Sequence, residues 1–319
     1  MKSSSKSHSL DKKSFLRYAL EGANQELISW RNLVRYEWPL VLLLAILLTV
    51  LFVYARPLPP KEVSIAAGQA DTSFYLMAKR YAEFFEKHGV TLKLIQTDGS
   101  QENLNKLIEK NDIQSALLLA GTIQKKEFPQ VVSLGSVQQV PLWLFYRGNI
   151  YTGDDPFAHF AEERISIGGP GSGTQRILKE LLALHAPLLN KPKHLLQLPH
   201  AEGAEALIQG KIEALTTADG YLSPTVQRLL KTPDLHIYNF SLADAYVKKM
   251  PYLDVVTIPR GALNIEKVYP PADIKMVSSS MTLLVEKDLH PAIQLLFMMA
   301  SDEFGDARDQ FFARPDEFP

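Results

Sequence analysis

The chain has 319 residues, 46% of them hydrophobic and 22% charged, which is enough apolar material for two lobes with separate cores. Lys and Arg total 34 against 35 Asp and Glu, a net charge of −1, so the totals carry no nucleic-acid footprint. Cysteine is absent, which excludes a disulfide framework, a thiolate zinc site and a cysteine nucleophile.

Residues 1–37 begin Ser- and Lys-rich. Phe15, Ala19, Ala23, Leu27, Trp30 and Val34 then recur at spacings of three and four, the pattern of an amphipathic helix. Seven Lys and Arg stand here against four acids, which predicts a cytoplasmic tail whose helix lies on the inner membrane surface. Residues 38–55, Trp38 to Ala55, contain no charge. At about 1.5 Å per residue they reach roughly 27 Å, close to the ~30 Å of a bilayer core. Trp38 and Tyr54 mark the interfaces, and Arg31 and Arg35 before the span keep the N-terminus cytoplasmic. The long preceding region predicts a retained single-pass anchor in a bacterial inner membrane, with a periplasmic domain, rather than a cleaved signal. Residues 56–61, with Pro57, Pro59 and Pro60, form a stiff linker.

From Glu62 strands alternate with helices. Val63 to Ala66 reads as a strand, Thr72 to His88 as a helix stopped by Gly89, and Thr91 to Thr97 as a strand entering a turn at Asp98-Gly99-Ser100. Ala116 to Ala120, Val131 to Leu134 and Leu142 to Tyr146 are further strands. Residues 147–161 interrupt the series, and a second one starts at Ile165. It runs through strand His194 to Leu198, helix Ala201 to Gln209, strand Ala214 to Thr217, helix Leu222 to Leu230, strand His236 to Asn239 and helix Leu242 to Lys249. Tyr252 to Pro259 and Lys275 to Val285 are strand-rich and return most economically to the first sheet; Pro291 to Ala300 is the last helix. The expected fold is α/β in two lobes, residues 62–146 and 254–319 in lobe 1 and 147–253 in lobe 2, joined by two crossings that make a hinge.

The stretch Ile165 to Gln175 organises this second lobe. A buried strand stops at a glycine-rich turn, and a helix opens at Ser172, Gly173 and Thr174, where free backbone N–H groups suit an anion. The turn at Gly99-Ser100 has the same design. A phosphate-binding loop would need Lys after Gly173, and a nucleophile elbow would need glycines where Pro170 and Thr174 stand, so neither chemistry is indicated. The eight histidines, among them His200, show no His-x-x-x-His pair and read as surface or packing residues. No metal-ligand or cofactor pattern is present, and no paired acid and base stand out for an enzyme. Arg147 and Arg176 are cationic candidates near the cleft, and Asp71 is expected to cap the first helix.

Seven motifs in order give the chain a family likeness: Gly68 with Tyr75-Leu76-x-Ala78, Thr97-x-Gly99-Ser100-x-Glu102-Asn103-Leu104, Pro141-Leu142-Trp143, Gly171-Ser172-Gly173-Thr174, Gly210-Lys211-Ile212-Glu213-Ala214, Ala245-Tyr246, and Ile258-Pro259-x-Gly261. Over residues 62–319 the chain resembles the solute-binding subunits of TRAP transporters of the TAXI class, in their membrane-anchored form. The resemblance implies a fold like that of type II periplasmic binding proteins and capture of a small organic anion, usually a carboxylate, for a TRAP-type membrane permease. It also implies a cleft lined by Gly68, Thr72, Ser73 and Ser100 from lobe 1 and by Gly171, Ser172, Gly173 and Thr174 from lobe 2. Tyr75 would pack on the ligand, and Thr217 and Asp219 lie at the rim. The chain departs from the family at Val140, where a glutamate is usual, and at Leu119, where a glutamine is usual. Both changes remove polar groups and point to a different ligand or to weakened binding. The alternative with the same fold is a tethered ligand-sensing or assembly subunit.

Overall fold

The computed structural model describes residues 31, 36–54, 58–109, 112–122, 128–160, 162–185, 194–306 and 311–312. The amphipathic helix expected before residue 37 falls outside these residues, apart from Arg31, Tyr36 and Glu37. Residues 1–58 and 59–319 form two compact units. In the first, helix α1 (Tyr36–Tyr54) spans 19 residues with mean hydropathy 2.2 and its side chains exposed, long and apolar enough to cross a membrane.

The second unit is a mixed α/β structure on a ten-stranded sheet. Its first half is built from β1 (Glu62–Gly68), α2 (Ser73–Lys87), β2 (Thr91–Gln96), α3 (Ser100–Ile108) and β3 (Ser115–Leu119). β1 pairs in parallel with β2 and β3. Helix α2 buries Met77, Ala78, Tyr81, Phe84 and Phe85, a stripe at helical spacing that seals the sheet face.

β4 (Val131–Tyr146) is one strand of 16 residues where two were expected. Its first part pairs with β10 (Ile274–Glu286) up to Pro141, and from Leu142 it pairs instead with β7 (Ala214–Ala218). Pro141 has no N–H to give a ladder, and it sits where the strand leaves one half of the sheet for the other.

The second half continues with α4 (Pro156–His159), β5 (Ile165–Ser166), α5 (Gly173–Leu182), β6 (Leu195–Leu196), α6 (His200–Ile208), β7, α7 (Pro224–Lys231), β8 (His236–Ile237) and α8 (Ala243–Lys249). β5 lies in parallel between β6 and β7, and β8 pairs with β4. β9 (Asp254–Ile258) pairs with the start of β10. Val256, Ile258, Ile274 and Met276 pack with Trp143, Phe145, Leu207 and Leu215 in the second lobe's core. By pairing, β9 and β10 nonetheless belong to the same sheet as β1, β2 and β3, as expected, and Met281 to Val285 pair directly with β3. α9 (Pro291–Asp306) returns Phe297 against Tyr81 and Phe85.

Candidate functional site

Four strand-to-helix turns, those before α2, α3, α5 and α6, meet at one small, partly open cavity of about 70 Å³. Each brings a helix N-terminus, whose first N–H groups lack partners within the helix, although Ser73 N, Tyr75 N, Gln101 N, Gln175 N and His200 N find partners elsewhere. Gly68, Thr72 and Ser100 line the cavity from the first lobe, and Ser172, Gly173, Thr174 and Thr217 from the second. Asn103, Leu119 and His200 are among the other residues of the wall.

The turns are held by their own side chains. Thr72 caps α2 by accepting from Tyr75 N and donates to Gln69 O at 2.7 Å. Thr97 Oγ1 accepts from Gly68 N at 3.1 Å, which ties the first turn to the second. Ser100 Oγ accepts from Leu119 N at 3.1 Å, Ser172 Oγ from Gln175 N at 3.2 Å, and Thr174 Oγ1 from Ala218 N at 2.9 Å. These hydroxyls were expected to face a ligand; each has a backbone partner of its own. Gly68, Gly168 and Gly171 all have positive φ, a turn conformation that glycine adopts at little steric cost.

The lobes touch directly around this cavity. A Cβ on Gly99 would lie 3.2 Å from Ser172 Cα, and one on Gly173 would lie 2.7 Å from Leu119 Cδ2. Gln101 N donates to Gly171 O at 3.2 Å. Gly171 borders an outer groove with Gln101 and Arg176 rather than the cavity.

Ser73 and Asp219, both expected to line the cleft, do not line the cavity but bond to each other across the lobes beside it. Asp219 Oδ1 accepts from Ser73 N at 2.9 Å, from Ser73 Oγ at 2.5 Å and from Gly220 N at 2.8 Å. Oδ2 lies 3.1 Å from His200 Nε2, an ion-pair contact without hydrogen-bond geometry, and neither atom has another partner. His200 Nδ1 sits 2.8 Å from Thr217 Oγ1 and donates to it when the ring is charged. Burial opposes charge on both groups, but the contact outweighs it. The neighbouring carboxylate holds His200 above the usual imidazole range, and His200 holds Asp219 below the usual carboxylate range. Trp143 fixes the turn by donating its indole N–H to Asp219 O at 2.8 Å.

Several expectations change here. His200 is not a bland surface or packing residue: it lines the cavity and faces a buried carboxylate. The signal was its position at the start of a helix, just after Pro199, the same place that Ser73, Ser100 and Gly173 occupy. Asp71 does not cap α2; its carboxylate accepts from Thr225 at 2.9 Å and its carbonyl from Ser223 at 3.2 Å, while Thr72 takes the cap. Arg147 does not approach the cavity, because its guanidinium caps the end of α6 through Leu207 O and Ile208 O at 2.7 and 2.6 Å. Arg176 spans the lobes outside the cavity, donating to Thr122 O at 3.1 Å. Tyr75 is half-buried beside Lys79 and does not line the cavity.

An acid and a base do face each other here, but Ser73 bonds to the acid and not to the imidazole. That order cannot relay a proton from serine to histidine. Among the described residues, no group of three or more His, Asp or Glu is placed to hold a metal ion.

The fold recurs in solved structures. A protein from Bordetella bronchiseptica RB50 matches with 17% identity, 77% of this chain and 71% of that chain covered, and a TM-score of 0.51. An H2O2-bound mutant of Corynebacterium glutamicum OxyR matches with 8% identity, coverage of 83% and 72%, and a TM-score of 0.50. The substrate binding protein of an amino acid ABC transporter matches with 12% identity, coverage of 76% and 92%, and a TM-score of 0.47. No curated protein matches by sequence. The first two likenesses show a shared α/β fold. The model of the NMT1-like family matches residues 65–293, and the chain belongs to that family.

Proposed function

We propose that this protein is a membrane-anchored, extracytoplasmic solute-binding protein. In this reading α1 tethers the chain to a bacterial inner membrane, with the N-terminus in the cytoplasm and the two lobes in the periplasm. The cleft captures a small organic anion, a carboxylate, and delivers it to a TRAP-type permease of the TAXI class. The observation that carries the reading is the convergence of four helix N-termini on one cavity. Each favours an anion by about 0.3–1 kcal/mol, and by up to about 2 when partly buried. His200 also stands at the wall, with the Asp219 carboxylate beside it as its counter-charge. The motif order from Gly68 to Gly261 supports the transporter class, and the length and composition of α1 support the tether.

A second reading, a tethered sensing or assembly subunit, is favoured by the small cavity. Solute pockets commonly measure about 300–1,000 Å³, and here Leu119 and the interlobe bonds occupy much of the space. Calorimetry on the full chain in detergent, against amino acids, oxoacids, dicarboxylates and aromatic acids, separates the two. Micromolar binding of one carboxylate class is the expected result. A folded, ligand-stripped protein that binds none of them would overturn the solute-carrier reading in favour of the second.

A further inference from the structure

The N-terminus of α2 already holds a carboxylate, and the chain itself supplies it. Ser73 is the first residue of this 15-residue helix, and both its N–H and its hydroxyl point at Asp219 Oδ1. Gly220 N supplies a third donor to the same oxygen. The other oxygen, buried and without a hydrogen bond, faces His200. A bound solute carboxylate would be met in the same way, by helix N–H groups, a hydroxyl and a cation. Asp219, however, belongs to the second lobe and Ser73 to the first, so the bond also ties the lobes together.

We propose that Asp219 is a built-in anion that latches the cleft shut in the absence of solute, and that a solute carboxylate is admitted by displacing it from the N-terminus of α2. This deepens the solute-binding reading and rests on it for the displacement step. The latch has auxiliary ties. Thr225 and Ser223 donate to Asp71, and His200 N donates to Gln69 Oε1 at 3.3 Å, each again joining one lobe to the other. Leu119, packed under Gly173, fills space that an open cleft would offer to a ligand.

The absence of cysteine allows two labels to be placed without background. Spin labels at Lys87→Cys and Lys231→Cys, exposed positions on α2 and α7, report the separation of the lobes in the full chain in detergent. Without added anion, the parent protein is expected to give one short, narrow distance distribution. Asp219→Ala should shift it to longer values, and formate or acetate should return it toward the short value in Asp219→Ala while leaving the parent unchanged. An Asp219→Ala distribution identical to the parent's, or a parent that is already open, overturns the latch. Should Asp219→Ala not fold by circular dichroism, Ser73→Ala, which keeps the buried pair, serves in its place. It too must lengthen the distance, and an unchanged distance overturns the proposal. Calorimetry with the carboxylate panel keeps the two readings apart. Tight binding by the parent with no opening in Asp219→Ala removes the latch and leaves the receptor. Opening with formate rescue, but no solute bound by either protein, removes the receptor and leaves the latch.

Discussion

The two lobes meet at two contacts of different chemistry. At Gly99 and Ser172, and again at Gly173 and Leu119, the approach is one of shape: a glycine stands where any Cβ would meet the facing lobe within 3.2 Å. At Ser73 and Asp219 the approach is one of charge, with a buried carboxylate taking three donors and facing an imidazole. A shape contact is set once the chain folds and does not respond to solutes. A charge contact can be exchanged for another anion or cancelled by a proton, so closure is adjustable at one point and fixed at the other.

Removing the charge contact should have the largest effect. Asp219→Ala strands His200 beside the cavity without its partner, and breaking a buried pair in this way costs about 3–5 kcal/mol. Urea unfolding of the full chain in detergent measures it, and a loss below about 1 kcal/mol would show that the pair contributes little. Overpacking the shape contact should give a smaller loss. Gly173→Ala drives a methyl into Leu119, and overpacking costs about 1–3 kcal/mol. Leu119→Ala leaves a cavity, with a cost of about 2–5 kcal/mol alone. The double variant should cost less than the sum of the two by about 1 kcal/mol or more, because the new methyl occupies the vacated space. Strict additivity would mean that the two residues do not press on each other.

The alternation of strands and helices was legible because it is carried by spacing: the stripe from Met77 to Phe85 and the turn at Gly171 to Thr174 need no tertiary partner to be recognised. β4 was misread as two strands because Gly135 and Pro141 break its apolar run, yet the strand is continuous there and only its partners change. The position of β9 in the second core depends on what Val256 and Ile258 pack against, which no local pattern encodes. At the site, Ser172, Gly173 and Thr174 were visible from the glycine turn. His200 was not, since a single histidine has no period and gains its meaning from Asp219, nineteen positions on. Asp71 and Thr72 compete for one cap, and the structure gives it to Thr72 and turns Asp71 toward the other lobe.

The smallest effect, and the one that most sharpens the contrast, is the response to pH. His200 is held above its ordinary value, with burial working against that shift and the Asp219 carboxylate prevailing. Its contribution to stability is therefore complete below the unfolded imidazole value, about 6.5, and is lost as pH rises through the folded value. Asp219 is held below its ordinary value, again against burial and through His200. Its contribution is complete above the unfolded carboxylate value, about 3.9, and is lost as pH falls through the folded value. The pair thus contributes fully between these two reference values and weakens on either side. Tm followed from pH 5 to pH 8.5 should fall on the alkaline side in the parent protein, and His200→Gln should flatten that fall. Gly173→Ala should lower Tm equally at every pH, because the contact it disturbs holds no titratable group. An alkaline fall that persists unchanged in His200→Gln would place its origin away from the cleft and leave the charge contact as inert to protons as the contact of shape.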